Sequence, residues 1–241
     1  MHHIFMIVLL LAALTGCATK MRQPEPDFAS FTYVTLVSGP SSGSGTKEAR
    51  QAMFQGHMAN INRLAETGDL LVAGPFANPN DASWRGLFIL DVAETAAARA
   101  MVASDPGISA GEFAAVIRPL RASTTLRQSL PLYRALEAEQ RINAGTTPTN
   151  SAAPPALMRA YVIVTAADAD RAARAIGDST FPIVFRGRFT DQDGKGGLFV
   201  LDATDPAAVR SALVPASTGP ASVDGWFSTS SHVRLPIAAR Q

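Results

Sequence analysis

The chain has a single cysteine among 241 residues, Cys17. A disulfide within the chain is therefore impossible, and a zinc centre built on cysteine pairs is excluded with it. Charge is scarce as well: 17% of residues are Asp, Glu, Lys or Arg, and the formal net charge is +1. There is no basic run of the kind that nucleic-acid binding needs, so no nucleic-acid partner is expected. No His, Cys and carboxylate cluster shows metal-ligand spacing, and neither a metal nor a cofactor is expected. The long apolar run of a membrane-spanning helix is missing too; the stretch Ile4 to Leu14 falls short of the ~20 residues required. What remains is globular in character. With 47% hydrophobic residues, the chain can bury real cores in one or two domains.

The N-terminus reads as a targeting segment. Ile4 to Leu14 has the length of a signal-peptide apolar region and runs into Leu14-Thr15-Gly16-Cys17. That ending resembles a bacterial lipobox, in which the cysteine is acylated and becomes the mature N-terminus. Residues 1–16 are then a lipoprotein signal peptide, Cys17 the lipidation site and 17–30 a tether. Several acyl chains hold a protein firmly on a membrane. Ala18 follows the cysteine where inner-membrane retention is associated with Asp, which points to the outer membrane, facing the periplasm. The leading Met1-His2-His3 lacks the usual Lys or Arg, and an uncleaved anchor is the alternative reading.

From Phe31 the chain alternates strand and helix signals. Phe31–Val37 is a β-branched and aromatic run, read as a strand, and Ser38–Gly45 is a Gly/Ser loop. A helix is predicted from Lys47 to Thr67, capped by Thr46 and stopped by Gly68. Phe54, Ile61, Leu64 and Ala65 form its predicted apolar face, and His57 falls on that same face. An inward imidazole needs either a backbone partner or a pocket. Strands follow at Leu70–Phe76 and Gly86–Asp91, a helix at Thr95–Ala103, and a strand at Phe113–Leu120. Trp84, in the loop between the two middle strands, is either a pocket lid or a packed anchor. Asp105 is either a loop-starting residue in an Asx-turn or a partner for His57. Arg118 either holds an anionic group in a pocket or is a surface charge.

The ordered set of His57, Gly74-Pro75, Gly86 and Asp105-Pro106 resembles the YCII-related family of small α+β proteins. The resemblance covers residues 31–121. It implies a ferredoxin-like βαββαβ unit that pairs its sheet with another such unit. It also implies a His57–Asp105 acid/base site. Gly74 and Pro75 from that set, together with Trp84 and Arg118 from the residue reading above, are the candidate substrate-binding positions.

A second copy of the pattern follows. The run Gly86-Leu-Phe-Ile-Leu-Asp reads against Gly197-Leu-Phe-Val-Leu-Asp, Tyr33-Val34 against Tyr161-Val162, and Val116-Ile117-Arg118 against His232-Val233-Arg234. The predicted helix at Asp168–Ile176 carries no His, and no Asp stands near Pro215-Ala216-Ser217. The expected organisation is therefore a YCII-like domain at 31–121, a helix and Pro/Thr/Ala linker at 122–157, and a degenerate repeat at 158–237. The expected fold class is α+β, with two ferredoxin-like units packed as an intrachain pseudo-dimer of the dimeric α/β-barrel type, open to further self-association.

Other motifs are weak. Gly39-Pro40-Ser41-Ser42-Gly43 has the letters of a nucleophile elbow, but its long loop lacks the strand-to-helix turn. Asp191-Gln192-Asp193-Gly194 lacks the closing Glu of a calcium loop and reads as a hairpin turn. Two functions follow from this reading. One is acid/base chemistry on a small polar molecule, of the elimination, isomerisation or hydrolysis type, with His57 as base and Asp105 as its orienting partner. The other is a non-catalytic module that binds a small ligand or an envelope protein.

Overall fold

The computed structural model describes residues 27–146, 157–213 and 221–236. The signal segment, Cys17 and most of the tether lie outside these residues, as do the linker's core and Pro215-Ala216-Ser217.

The first unit consists of β1 (Phe28–Ser38), α1 (Lys47–Glu66), β2 (Leu70–Ala77), β3 (Trp84–Leu90), α2 (Thr95–Ala103), a one-turn helix α3 (Pro106–Ser109) and β4 (Phe113–Ser123). Helix α4 (Ser129–Thr146) leads to the second unit: β5 (Met158–Ala166), α5 (Ala169–Gly177), β6 (Ile183–Phe189), β7 (Gly197–Leu201), α6 (Pro206–Leu213) and β8 (Ala221–Thr229). The eight strands close into an antiparallel barrel in the order β1-β3-β2-β8-β5-β7-β6-β4. Each unit contributes four adjacent strands in the ferredoxin-like order, so the molecule is an α+β pseudo-dimer. Its seams are short: β2 meets β8 through Phe76↔Trp226 and Ala77↔Gly225, and β4 meets β6 from Leu120↔Phe189 to Ala122↔Gly187.

Strand alternation divides the apolar residues between the two faces of the barrel wall. The inner face fills the barrel with one core from both units, including Phe31, Tyr33, Leu87, Ile89, Tyr161, Phe185, Phe189 and Trp226. The outer faces carry separate cores under the helices. Val34, Leu36, Leu64, Phe88 and Val102 pack in the first unit, and Val162, Ile176, Phe199 and Val209 in the second. Burying both faces removes the apolar sheet surface that one unit alone would expose. Two 3-10 turns, Thr124–Gln128 and Ser230–Arg234, follow β4 and β8, and α4 packs across them through Leu132 and an Arg234–Glu139 ion pair at 2.7 Å.

Three details differ from the sequence reading. β1 begins at Phe28, inside the expected tether, because Phe28–Ser30 pairs with Arg121–Ser123. Helix α1 rotates so that Phe54 is 53% exposed while Asn60 is buried. The polar groups near Asp105 draw that face inward. Finally, His232-Val233-Arg234 does not occupy the place of Val116-Ile117-Arg118. It lies in the 3-10 turn after β8, which Thr229 caps as Ser123 caps the turn after β4. By element order His232 stands where the first unit has Leu126.

Candidate active site

Helix α1 supplies His57 and the α2–α3 corner supplies Asp105. Thr46 caps α1 by accepting the Ala49 amide at 3.2 Å, and Glu48 sits in the first turn, where it complements the helix dipole. The apolar contacts of Leu64 then fix the helix on the sheet. Asp105 is the N-cap of α3: its Oδ1 accepts the Gly107 amide at 2.8 Å, and Pro106 occupies the first helical position, where a missing N–H costs nothing. A Cβ on Gly56 would lie 3.0 Å from the Pro106 ring, and one on Gly107 would lie 2.5 Å from the Phe113 ring. Gly56 thus lets the corner settle onto α1, and Gly107 lets it pack on Phe113 of β4.

This brings the two groups together. His57 Nδ1 lies 2.9 Å from both carboxylate oxygens of Asp105. Asn60 Nδ2 donates to Asp105 Oδ2 at 3.1 Å, and Arg63 donates to Asn60 Oδ1 at 2.8 Å, which fixes the amide's orientation. Asp105 thus faces three donors while only 1% exposed. Burial by itself would push its carboxyl up. The hydrogen bond and charge of His57, with the bonds from Asn60 and the Gly107 amide, outweigh burial and hold it below the usual carboxylate range.

An ionised Asp105 makes Nδ1 the donor, leaving the lone pair on Nε2. Among the described residues no group bonds Nε2, and it is not one of the polar atoms sealed from solvent without a partner. The rings of Phe113, Phe54 and Phe88 lie 5.2, 6.0 and 6.1 Å from the imidazole. The result is an oriented base set among three aromatic rings. Asp105 was open to two sequence readings, and it fills both roles at once, Asx-type cap and histidine partner. Asn60 was missed, although it is three residues beyond His57 and so on the same helix face.

The other candidates do not join this pair. Gly74 faces the barrel interior, where a Cβ would lie 1.9 Å from the Phe227 carbonyl oxygen. Pro75 is exposed on β2, in register with Gly86. Trp84 packs on the interior core, 5.1 Å from the Phe76 ring, as an anchor and not a lid. Arg118 donates to both oxygens of Asp191 at 2.7 and 2.9 Å and lies 3.6 Å over the Phe189 ring. Strand alternation puts Arg118 on the inner face, opposite to Ile117 and the α1 side, and Asp191 already neutralises it.

Asp105 is expected to matter to stability as well. Asp105→Ala leaves His57, Asn60 and the Gly107 amide without their acceptor, a loss of roughly 2–3 kcal/mol. Because the folded carboxyl titrates below its unfolded value, its contribution is full above about pH 4 and fades as pH falls through the folded value. Urea denaturation of wild type and variant at pH 7 and pH 3 measures both effects. A variant equal to wild type at pH 7 would show that the cluster contributes nothing.

No functionally curated protein matches the sequence. Among solved structures, a mutant chlorite dismutase from Candidatus Nitrospira defluvii superposes with a TM-score of 0.51 at 10% identity, covering 89% of this chain and 97% of that chain. Another mutant of the same enzyme, in complex with cyanide, gives 0.51 at 11% identity over 89% and 96%. At such identity the likeness is one of fold: a closed dimeric α+β barrel. The sequence match falls on the half that holds the His57–Asp105 pair: residues 32–119 match the YCII-related domain.

Proposed function

We propose that the first unit carries an acid/base site for a small polar molecule, with His57 as the proton-transferring group and Asp105 as its orienting partner. The observation that carries this reading is the asymmetry of the imidazole: Nδ1 is held by a buried carboxylate, while Nε2 has no partner among the described residues and is not sealed from solvent. A histidine kept only for packing has no need of an outward lone pair. Asp105 fixes the tautomer and stabilises the imidazolium that forms when Nε2 takes a proton. His can also return that proton near neutrality, which suits elimination, isomerisation or hydrolysis. The YCII-related match over residues 32–119 supports a small-molecule site. The second unit supports the fold without a matching centre, since α5 has no His. The proposal includes anchoring in the cell envelope through an acylated Cys17, on the outer membrane facing the periplasm, supported by the apolar run before the cysteine.

The test is a thermal-shift screen of small polar metabolites against wild type and His57→Gln. A true ligand raises the wild-type melting temperature and not the variant's. If it is turned over, the variant loses ~10²–10⁴-fold in rate. Ligands that stabilise both proteins equally would leave the site without a role. In cells, Cys17→Ser should move the protein from membrane to soluble fractions, and unchanged fractionation removes the anchor from the proposal. A non-catalytic ligand-binding module is the second reading, favoured by a hit that binds through His57 and is recovered unchanged.

A further inference from the structure

A cleft of about 340 Å³ lies at the β4–β6 seam, on the outer face and far along the chain from His57. Its walls are α5, with the small side chains Ala169 and Ala173, and strands β4, β6 and β7. Three arginines converge on it. Arg121 and Arg188 are directly opposite each other in the β4–β6 pairing, and Arg186 is two residues along on the same face of β6. Like charges directly opposite in a sheet are destabilising.

The local counter-charge is incomplete. Asp170 pairs with Arg188. Arg121 lies 5.9 Å over the Phe28 ring, and neither it nor half-buried Arg186 forms an ion pair or hydrogen bond with the described residues. Three guanidinium groups against one carboxylate leave an excess of two positive charges inside a concavity. Burial, followed by the charge of Arg188, pulls Arg186 below its ordinary value. The protonated guanidinium is therefore in an environment that an anion would improve. Guanidinium groups present paired N–H donors that match phosphate and carboxylate oxygens. The first turn of α5 adds its dipole at the same wall.

We propose that this seam cleft binds a compact oxyanion dianion, a free phosphate or the phosphate group of a small organic molecule, through Arg121 and Arg186. Two net positive charges match a dianion, and the volume leaves room beside the phosphate for a small organic group. Because β4 belongs to the first unit and β6 to the second, a bound dianion would also tie the two units together at their seam. The site is separate from the His57 centre and does not rest on it.

Isothermal titration of the full chain at pH 7.5, with ionic strength held constant by sodium chloride, tests this with inorganic phosphate and with phenyl phosphate. Saturable one-site binding is expected, weakened at least tenfold by Arg186→Gln and by Arg121→Gln but unchanged by Arg99→Gln, an exposed arginine on α2. Tighter binding of phenyl phosphate assigns the site to an organic phosphate, and equal or weaker binding to the free ion. Without ligand, Arg121→Gln should melt no lower than wild type, because it removes the Arg121–Arg188 repulsion. Arg121 is exposed, so this variant keeps the test decisive if Arg186→Gln fails to fold. Absence of saturable binding by either probe, or equal affinity in all four proteins, would overturn the proposal.

Discussion

Gly74→Ala is expected to destabilise the protein by about 4 kcal/mol or more, at the upper end of what one methyl group does in a core. The new Cβ would lie 1.9 Å from the Phe227 carbonyl oxygen and 2.7 Å from Trp226 Nε1. The first of these is backbone, which cannot rotate aside as a flexible side chain can. Relief requires β2 and β8 to part, and they are joined there by only the Phe76↔Trp226 and Ala77↔Gly225 pairs. Parting them would also stretch the Ser228 hydroxyl's bond to the Ala73 carbonyl, now 2.8 Å. The loss is large against the 5–15 kcal/mol that folds a typical domain. In thermal melts followed by circular dichroism, the midpoint should fall by ~10 °C or more. Gly177→Ala is the control, since a Cβ there meets nothing within 4 Å. A Gly74→Ala midpoint within ~2 °C of wild type would show that the seam tolerates separation.

Gly74 also shows where the sequence stops being informative. The Gly-Pro at 74–75 belongs to an ordered set whose other members meet at a site, and so it reads as part of that site. Period-two counting tells which side of a strand a residue takes, but not which side holds the chemistry. Arg118 is the same case. Its strand was legible, yet its partner Asp191 comes from a hairpin 73 residues away, a distance no local pattern spans. Trp84 turns inward because the β1–β3 register shifts between Leu36 and Val37, and a bulge of that kind leaves little trace in the sequence. By contrast, elements with strong local signals were readable. Thr46 and the bounds of α1, the Thr95–Ala103 helix and the strand runs all follow from capping and periodicity. The His57–Asp105 approach was legible only as an ordered pattern, since the residues are 48 positions apart. Asn60 needed only the helical spacing already used for Ile61. The arginine cleft was invisible, because it exists only once β4 and β6 are adjacent.

His232 is expected to dominate the acid sensitivity of the fold between about pH 6.5 and pH 4. It is 1% exposed and surrounded by the rings of Trp226, Tyr161 and Phe185. Ser228 Oγ donates to the Ala73 carbonyl at 2.8 Å, so His232 Nε2–H is the donor in its 2.9 Å bond to that hydroxyl. Nδ1 then carries the lone pair and has no partner among the described residues. A proton added at Nδ1 would be a buried charge with no acceptor, and burial lowers the histidine's pKa to about 3. The sign follows from linkage. Below about pH 6.5 the unfolded chain binds a proton here that the folded chain refuses, so stability falls as pH falls. The loss is roughly 1.4 kcal/mol per pH unit and stops only when the folded ring titrates. Between pH 6.5 and pH 4 that amounts to roughly 3 kcal/mol. His232→Leu should remove this slope, and Leu126, in the corresponding turn of the first unit and fully buried, shows that the barrel end accepts a leucine in that position. At pH 7.5 the variant should lie within ~1 kcal/mol of wild type, since Ser228 keeps its bond to Ala73. Urea denaturation at half-unit steps from pH 7.5 to pH 4 separates the two proteins. Parallel stability curves would place the acid-sensitive group elsewhere.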